Sequence, residues 1–330
     1  MNAMTMDRRA FVKATLASLA MGSPVLAEQK QEPGGLPKRP LGKTGQMVAI
    51  VCLGGWDIGN VKDKDEAVSI MHEAVDEGMT FFDNCWDYHD GGSEEIMGRA
   101  LSSNGRRDKV FLMTKVCARD YKGALKHLDD SLRRLRTDRV DLWQFHGTQW
   151  DDDAELIFDP GNGALKAALE AKKAGKVRFI GFTGHKNPRF HKAMLDRPFA
   201  WDTVQMPVNV LDAHYESFQK QILPICAQRK IGAIGMKALA AQDGRIVRDL
   251  GISADFARRF SLSLPISSLV CGIQSRANLR QDLAIARDFK PLTEAEVIEV
   301  LGKARPAALD GRMEAYKVGN YGCDWHHKQA

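Results

Sequence analysis

Short apolar runs alternate with amphipathic segments along most of this chain. The runs are rich in Val, Ile, Leu and Phe and mostly lack polar alternation, which is typical of strands buried on both faces. Between them, apolar residues recur at spacings of three and four, which predicts helices with one buried face, as at Leu125, Leu128, Leu132 and Leu135. The pattern predicts eight strands, within residues 49–55, 80–85, 110–116, 140–146, 177–184, 203–209, 231–239 and 268–273.

Eight strand–helix units without a break predict an α/β fold of the (β/α)8 TIM barrel type. A doubly wound open sheet is the alternative, but it favours a GxGxxG fingerprint after the first strand, and LGGWDIGN does not supply one. The segment RPLGKTGQMVAI before the first strand predicts a β-hairpin that plugs the bottom of the barrel.

Two helix starts can be predicted from capping residues. Ser93 before Glu94 predicts a helix start. The capping-box spacing of Thr293 and Glu296 predicts a further helix after the last strand, followed by an irregular tail.

The N-terminus has the features of an export signal. DRRAFVK is followed by the apolar stretch ATLASLAMGSPVLA, which ends in a small-residue cleavage site and is too short to span a bilayer. The arginine pair Arg8 and Arg9 resembles a twin-arginine signal, although Asp7 stands where serine or threonine is usual. We therefore predict a signal peptide at 1–27, a barrel at 28–330, transient contact with the twin-arginine export machinery and a periplasmic location. A chance basic and apolar N-terminus is the alternative.

Charge and composition argue against nucleic-acid binding and against a membrane-spanning segment. A net charge of +5 over 330 residues is too weak and dispersed to indicate a nucleic-acid partner, and no other segment is a membrane-span candidate. The six cysteines lie far apart without a CxxC motif and fall mostly in apolar runs, so we expect buried free thiols. The tail contains Cys323, His326 and His327, which are expected to be incidental. No metal site is predicted.

The candidate chemistry lies at the ends of three predicted strands. Asp83, Lys115 and His146 end strands two, three and four, and Tyr88 follows in the loop after strand two. Because the C-terminal strand ends of a barrel face its active side, these side chains should meet at one mouth. A lysine ammonium lowers the pKa of a nearby tyrosine, which makes Tyr88 a proton donor for a carbonyl oxygen. Each residue alone has a purely structural explanation, but their joint placement favours catalysis.

These segments resemble the aldo-keto reductase family from about Arg39 to Phe289. LGKTG is similar to its opening hairpin, DNCWDYHDGGSEEIMG to its aspartate–tyrosine segment, and TKV and QFH to its lysine and histidine strand ends. The resemblance implies NADPH-dependent reduction of an aldehyde, ketone or sugar-like carbonyl to an alcohol. Tyr88 would be the general acid, Lys115 and Asp83 would tune it, and His146 would orient the small-molecule substrate.

The resemblance also implies a set of cofactor-binding residues, with NADH as the alternative to NADPH. Where the family commonly has serine–asparagine after strand five, this chain has Thr183–Gly184, and where it has a stacking tyrosine, serine and proline after strand seven, this chain has Met236–Lys237–Ala238. Ser275 is in the phosphate-contacting position, and Asn278 stands where an arginine or glutamine is often found. Arg276 and Arg280 could compensate, and each could equally be solvent-exposed. The full predicted cofactor set is Gly55, Trp56, Thr183, Gly184, Gln205, Met236, Lys237, Ala238, Leu239, Gly272, Gln274, Ser275, Asn278 and Asp282.

The substrate pocket is expected to include His146 and the aromatic side chains Trp56 and Trp86, since aromatic residues on mouth loops commonly line apolar pockets. A non-catalytic cofactor-binding or regulatory protein on the same barrel is the main alternative, because a fold does not determine a function. A barrel isomerase or a metal-dependent lyase is disfavoured by the absence of a carboxylate–histidine metal set at the strand ends. Export also conflicts with the cytoplasmic supply of NADPH: export of the folded protein could carry the cofactor along, but turnover would then need a way to reduce it again.

Overall fold

The structure is a computed structural model that describes Leu26, residues 28–241 and residues 244–319. It begins with an antiparallel hairpin of β1 (Lys38–Pro40) and β2 (Met47–Ala49). Eight parallel strands then close into a barrel whose order follows the chain, with β10 returning to pair with β3. They are β3 (Val51–Gly54), β4 (Phe81–Asp83), β5 (Phe111–Val116), β6 (Val140–Phe145), β7 (Val177–Thr183), β8 (Thr203–Pro207), β9 (Gly232–Met236) and β10 (Ser268–Gly272). The predicted (β/α)8 barrel is confirmed.

Helices surround the barrel. Those in the described ranges are α1 (Gly55–Gly59), α2 (Lys64–Asp76), α3 (Gly92–Leu101), α4 (Arg106–Lys109), α5 (Tyr121–Leu135), α6 (Asp153–Ile157), α7 (Ala164–Lys173), α8 (Pro188–Leu195), α9 (Phe218–Gln221), α10 (Leu223–Arg229), α11 (Arg245–Leu250), α12 (Ala254–Ser263), α13 (Arg276–Arg287), α14 (Glu294–Ala308) and α15 (Ala315–Val318). None of these helices is long and apolar enough to cross a lipid bilayer.

The N-terminal hairpin covers the barrel floor, as predicted. Leu41 and Val48 join an interior cluster with strand residues that include Phe81 and Leu142. The hairpin turn lies against the start of β9, where Gly42 has a φ of +54° and a Cβ atom would lie 2.3 Å from the backbone nitrogen of Gly232. Glycine is therefore required at this turn for both its backbone conformation and its lack of a side chain.

One predicted helix start is wrong in detail. Helix α3 begins at Gly92, and its N-cap is Gly91 with a φ of +91°. The Ser93 hydroxyl does not cap the helix, because it donates a hydrogen bond of 2.6 Å to the Gly55 carbonyl oxygen. The capping box of α14 is confirmed: the Glu296 amide donates to Thr293 Oγ1, and the Glu296 carboxylate accepts from the Thr293 amide.

The predicted signal peptide lies outside the described residues except for Leu26, and the tail with Cys323, His326 and His327 lies outside them entirely.

Candidate active site

Lys115 brings the candidate catalytic residues together at the mouth of the barrel. Its ammonium forms an ion pair with Asp83 at the end of β4, and both side chains are buried. The same Nζ donates to the Asn84 carbonyl oxygen at 2.7 Å and lies 3.3 Å from the Tyr88 hydroxyl. His146 follows β6, and its ring meets the Tyr88 ring edge-on, with a centroid distance of 5.7 Å. The structure thus assembles all four side chains that the sequence selected.

The electrostatics of Tyr88 differ from expectation. Burial raises the pKa of the phenol, Lys115 lowers it, and Asp83 and Cys85 raise it further, so that the net pKa lies well above its usual value. The effect of Lys115 has the predicted direction, but desolvation of the phenolate outweighs it. Tyr88 therefore keeps its proton, which is the form that can donate a hydrogen bond.

Lys115 stays charged in this environment. Burial alone would lower its pKa, but Asp83 and Tyr88 raise it above the usual lysine value. A glutamine chain supports the carboxylate: Gln205 Nε2 donates to Asp83 Oδ2 at 3.4 Å, and Gln144 Nε2 donates to Gln205 Oε1 at 2.8 Å. Gln205, which was predicted to contact the cofactor, therefore also orients the Asp83 carboxylate.

His146 has neighbours that the sequence reasoning missed. Its Nδ1 lies 3.2 Å from Cys85 Sγ, 3.4 Å from Cys117 Sγ and 3.5 Å from Asp87 Oδ1. Burial works to raise the pKa of the Asp87 carboxyl, but His146, Cys85 and Lys115 outweigh it and hold the pKa well below its usual range. Cys85 and Asp87 follow β4, Cys117 follows β5 and His146 follows β6, so no sequence spacing could have revealed these contacts.

The expectation of free thiols holds in part. Cys52, Cys85, Cys226 and Cys271 are free and buried. Cys117 is disulfide-bonded, which corrects the prediction for this residue.

A cavity of about 700 Å³ opens in front of this group, within the range of cofactor and small-molecule sites. All four candidate catalytic residues line it. Most of the predicted cofactor residues line it as well, namely Trp56, Thr183, Gly184, Gln205, Met236, Lys237, Ala238, Leu239, Gly272, Gln274 and Asn278. The sequence reasoning missed other lining residues, among them Asp57, His185, Arg258 and Gln281.

Four predicted residues do not line the cavity. Gly55 packs against β4, where a Cβ atom would lie 2.5 Å from the Asp83 carbonyl oxygen. Ser275 instead caps α13, and Asp282 is buried in an ion pair with Arg258. Trp86 stacks on His127 with a centroid distance of 3.5 Å, so the prediction that it contacts substrate is not supported. Trp56 does border the cavity and meets the Tyr88 ring edge-on at 5.3 Å.

The cavity suits an anionic cofactor. Lys237 lines it with a φ of +62°, and burial lowers the pKa of its amine. Its ammonium forms no ion pair with any residue in the described ranges, and the attraction of Asp57 opposes the effect of burial on its pKa without reversing it. A partly buried cation without a paired carboxylate is a ready partner for a phosphate group. The Met236 sulfur also borders the cavity, 3.7 Å from Gln205 Nε2.

Arg276 and Arg280 of α13 form ion pairs with carboxylates of α2. Arg276 pairs with Glu66 at 2.9 Å and with Glu73 at 2.7 Å, and Arg280 pairs with Glu73 at 2.9 Å. The expectation that both arginines are available for a cofactor phosphate therefore needs correction, because any phosphate would compete with two carboxylates of α2.

Comparison with known proteins gives the family. Residues 50–259 match the model of the Aldo/keto reductase family, which is more than half of the chain. The chain belongs to this family. It is 30% identical over 203 residues to the aldo-keto reductase YhdN of Bacillus subtilis, an alignment that covers 57% of this chain and 57% of that protein. The chain thus spans less than two thirds of the length of this curated relative.

Solved structures show the same barrel. An aldo-keto reductase from Bacillus halodurans in its holo form has a TM-score of 0.67 at 24% identity, covering 84% of this chain and 99% of that one. An aldo/keto reductase from Klebsiella pneumoniae, in complex with NADP and acetate, has a TM-score of 0.64 at 22% identity, covering 80% and 94%. At these identities the likeness establishes the shared fold.

Proposed function

We propose that this protein is an NADPH-dependent oxidoreductase that reduces an aldehyde, ketone or sugar-like carbonyl to an alcohol. The observation that carries the proposal is the contact of Lys115 with both Asp83 and Tyr88 beside a 700 Å³ cavity. Family membership supports it. A non-catalytic protein would have no need of a buried lysine held 3.3 Å from a protonated tyrosine.

The chain's residues would act on the carbonyl oxygen. The Tyr88 hydroxyl donates a hydrogen bond to that oxygen and transfers its proton as negative charge develops there. Lys115, held charged by Asp83, stabilises the resulting phenolate. His146 borders the same cavity and orients the substrate oxygen, while Trp56 supplies an apolar wall. When bound, the nicotinamide cofactor supplies the hydride.

The cofactor would lie along the strand ends from β7 to β10. Gln205 and Thr183 offer polar groups to the nicotinamide amide, and Met236 offers a thioether to the ring face. Lys237 would neutralise pyrophosphate, and the α13 N-terminus with Asn278 would receive the adenosine phosphate. NADPH is favoured over NADH because Arg276 and Arg280 lie in the first two turns of α13, on either side of Asn278 in the chain, even though carboxylates of α2 compete for them.

Tyr88→Phe tests the assigned chemistry. Wild-type protein should oxidise NADPH in the presence of some members of a carbonyl panel, and the variant should lose a factor of about 10²–10⁴ in rate, the usual contribution of a positioned acid. Cofactor affinity, measured by fluorescence quenching, should be retained. Tyr121→Phe is the matched control, because Tyr121 begins α5 and its hydroxyl donates to Glu170 of α7. Cofactor binding without turnover on any carbonyl would favour the non-catalytic alternative.

We also propose that residues 1–27 direct export by the twin-arginine route. The pair Arg8–Arg9 precedes an apolar stretch and a small-residue cleavage site. Arg8→Lys with Arg9→Lys should retain the protein in the cytoplasm of a host that has this machinery, since the signal is read by a receptor and not by charge alone. Cell fractionation measures this, with Lys13→Arg as the charge-preserving control. Periplasmic recovery of the double variant would contradict the proposal.

A further inference from the structure

Four potential metal ligands converge beside Tyr88. Cys85 Sγ, Asp87 Oδ1, Cys117 Sγ and His146 Nδ1 all lie within 4.8 Å of one another. Each follows the end of β4, β5 or β6, so the barrel itself holds their backbones in place. Two sulfurs, one imidazole nitrogen and one carboxylate oxygen form a donor set that suits a borderline metal such as Zn²⁺ or Co²⁺ and is unsuited to Mg²⁺ or Ca²⁺.

The distances from His146 Nδ1 to the other three atoms are close to those of a tetrahedral site. Zinc lies about 2.3 Å from sulfur and about 2.0–2.2 Å from nitrogen or oxygen, so neighbouring ligand atoms in a tetrahedron lie roughly 3.3–3.8 Å apart. The three distances from His146 Nδ1 are 3.2 Å to Cys85, 3.4 Å to Cys117 and 3.5 Å to Asp87. The remaining pairs among the four ligand atoms also lie within 4.8 Å of one another.

Hydrogen bonds within this group do not provide a partner for every polar atom in it. An imidazole nitrogen carries one proton or one lone pair, yet three heteroatoms surround Nδ1 of His146. Asp87 Oδ1 is buried and has no partner in hydrogen-bonding geometry among the residues that the structure describes. A buried carboxylate oxygen without a hydrogen bond is costly, and a cation at the centre of the group would supply a partner for it.

We propose that Cys85, Asp87, Cys117 and His146 bind one zinc-type divalent ion when Cys117 is reduced. The structure has Cys117 in a disulfide, so its sulfur is not available as a thiolate, and the disulfide and the metal are alternative states of one atom. An external phosphine or dithiol supplies the two electrons that, with two protons, convert the disulfide to two thiols. Metal binding then displaces the thiol protons of Cys85 and Cys117 into solvent.

The site shares His146 with the proposed active site. A metal on Nδ1 leaves the ring proton on Nε2, which selects one tautomer of the imidazole that borders the cavity. The binding itself does not rest on the proposed reductase function, because it is measured without cofactor, substrate or turnover.

Cobalt titration of the full chain tests the proposal. Metal-free protein, reduced with a phosphine, should bind one equivalent of Co²⁺ with the visible absorption of tetrahedral thiolate-bound cobalt, and Zn²⁺ should displace it. Cys226→Ser, which alters a buried free thiol on α10, is the matched control and should behave as wild type. Cys85→Ser and Cys117→Ser should lose the absorption, and chain that keeps its disulfide should not develop it.

Asp87→Asn provides an independent check if a buried serine prevents folding. Its side chain is 33% exposed, so the variant should fold, and it should bind Co²⁺ at least tenfold more weakly. Three results would overturn the proposal: no thiolate–cobalt absorption in the reduced chain, unchanged affinity in Asp87→Asn, or equal affinity in the disulfide-bonded chain.

Discussion

At the residue scale, Glu73 neutralises two arginines that could otherwise bind a cofactor phosphate. Its carboxylate accepts hydrogen bonds from Arg280 and Arg276, and these interactions lower the pKa of the carboxyl. Two arginines thus face Glu73 and Glu66, and their charges largely cancel. The 2′-phosphate that distinguishes NADPH from NADH would have to attract an arginine away from these carboxylates.

Glu73→Gln should therefore favour NADPH. Removing one carboxylate leaves Arg280 without its ion pair and Arg276 with Glu66 alone, so the Kd for NADPH should fall severalfold while that for NADH changes little. Glu77→Gln is the matched control, because Glu77 lies at the end of α2 and pairs with Arg287. Equal changes for the two cofactors would show that the adenosine phosphate does not bind beside Arg276 and Arg280.

At the element scale, helix ends explain where the sequence pattern succeeds and fails. Thr293 and Glu296 each accept a hydrogen bond from the other's backbone amide. The start of α14 could therefore be identified from the four-residue segment 293–296. Ser93 is likewise a hydroxyl residue followed by glutamates, which is typical of a helix start. Its hydroxyl instead donates a hydrogen bond to the carbonyl oxygen of Gly55, 38 residues earlier, and the Glu94 carboxylate accepts a hydrogen bond from Thr114 in β5. Because both side chains make these tertiary contacts, neither caps the helix.

Thr293→Ala should loosen the start of α14. The loss of a threonine cap costs about 1 kcal/mol, which corresponds to a roughly fivefold rise in local opening. Hydrogen exchange of the first turn of α14 should accelerate by that factor, while β5 and β6 should be unaffected. Glu299→Gln, on the exposed side of the same helix, should leave exchange unchanged. Equal exchange in Thr293→Ala and wild type would contradict a stabilising role for the capping box.

At the scale of the whole molecule, buried histidines link stability to pH. Burial lowers the pKa of His127, His191 and His214 to about 4. His191 lies behind β8, and its Nε2 is 3.1 Å from the Gln205 carbonyl oxygen. A histidine that is neutral in the folded state and protonated in the unfolded state favours unfolding as the pH falls.

The sign of the effect follows from the two pKa values. For His191 the full stability is present above the ordinary pKa of 6.5 and is lost as the pH falls through the window to about 4. The loss is on the order of 3 kcal/mol for this residue. His191→Gln should lower stability at pH 7 but flatten the decline of the urea midpoint between pH 6.5 and 4. Parallel pH profiles for variant and wild type would show that His191 does not titrate on unfolding.

The sequence alone determined the barrel and the choice of candidate catalytic residues. Strands buried on both faces leave a periodicity that is local, and each unit repeats it. Asp83, Lys115 and His146 could be selected because every strand end of such a barrel faces the same mouth, whatever the packing around it. The hairpin and the α14 cap were likewise predictable, since both depend on contacts within a few residues.

Only the tertiary structure decided how those residues are surrounded. It turned Trp86 onto His127, paired Asp282 with Arg258, and occupied Arg276 and Arg280 with α2 carboxylates. It also raised the pKa of Tyr88 in spite of Lys115 and gathered Cys85, Asp87 and Cys117 around His146. Burial and long-range pairing produce these effects, and both depend on distances between segments far apart in the chain, which no local pattern of residues contains.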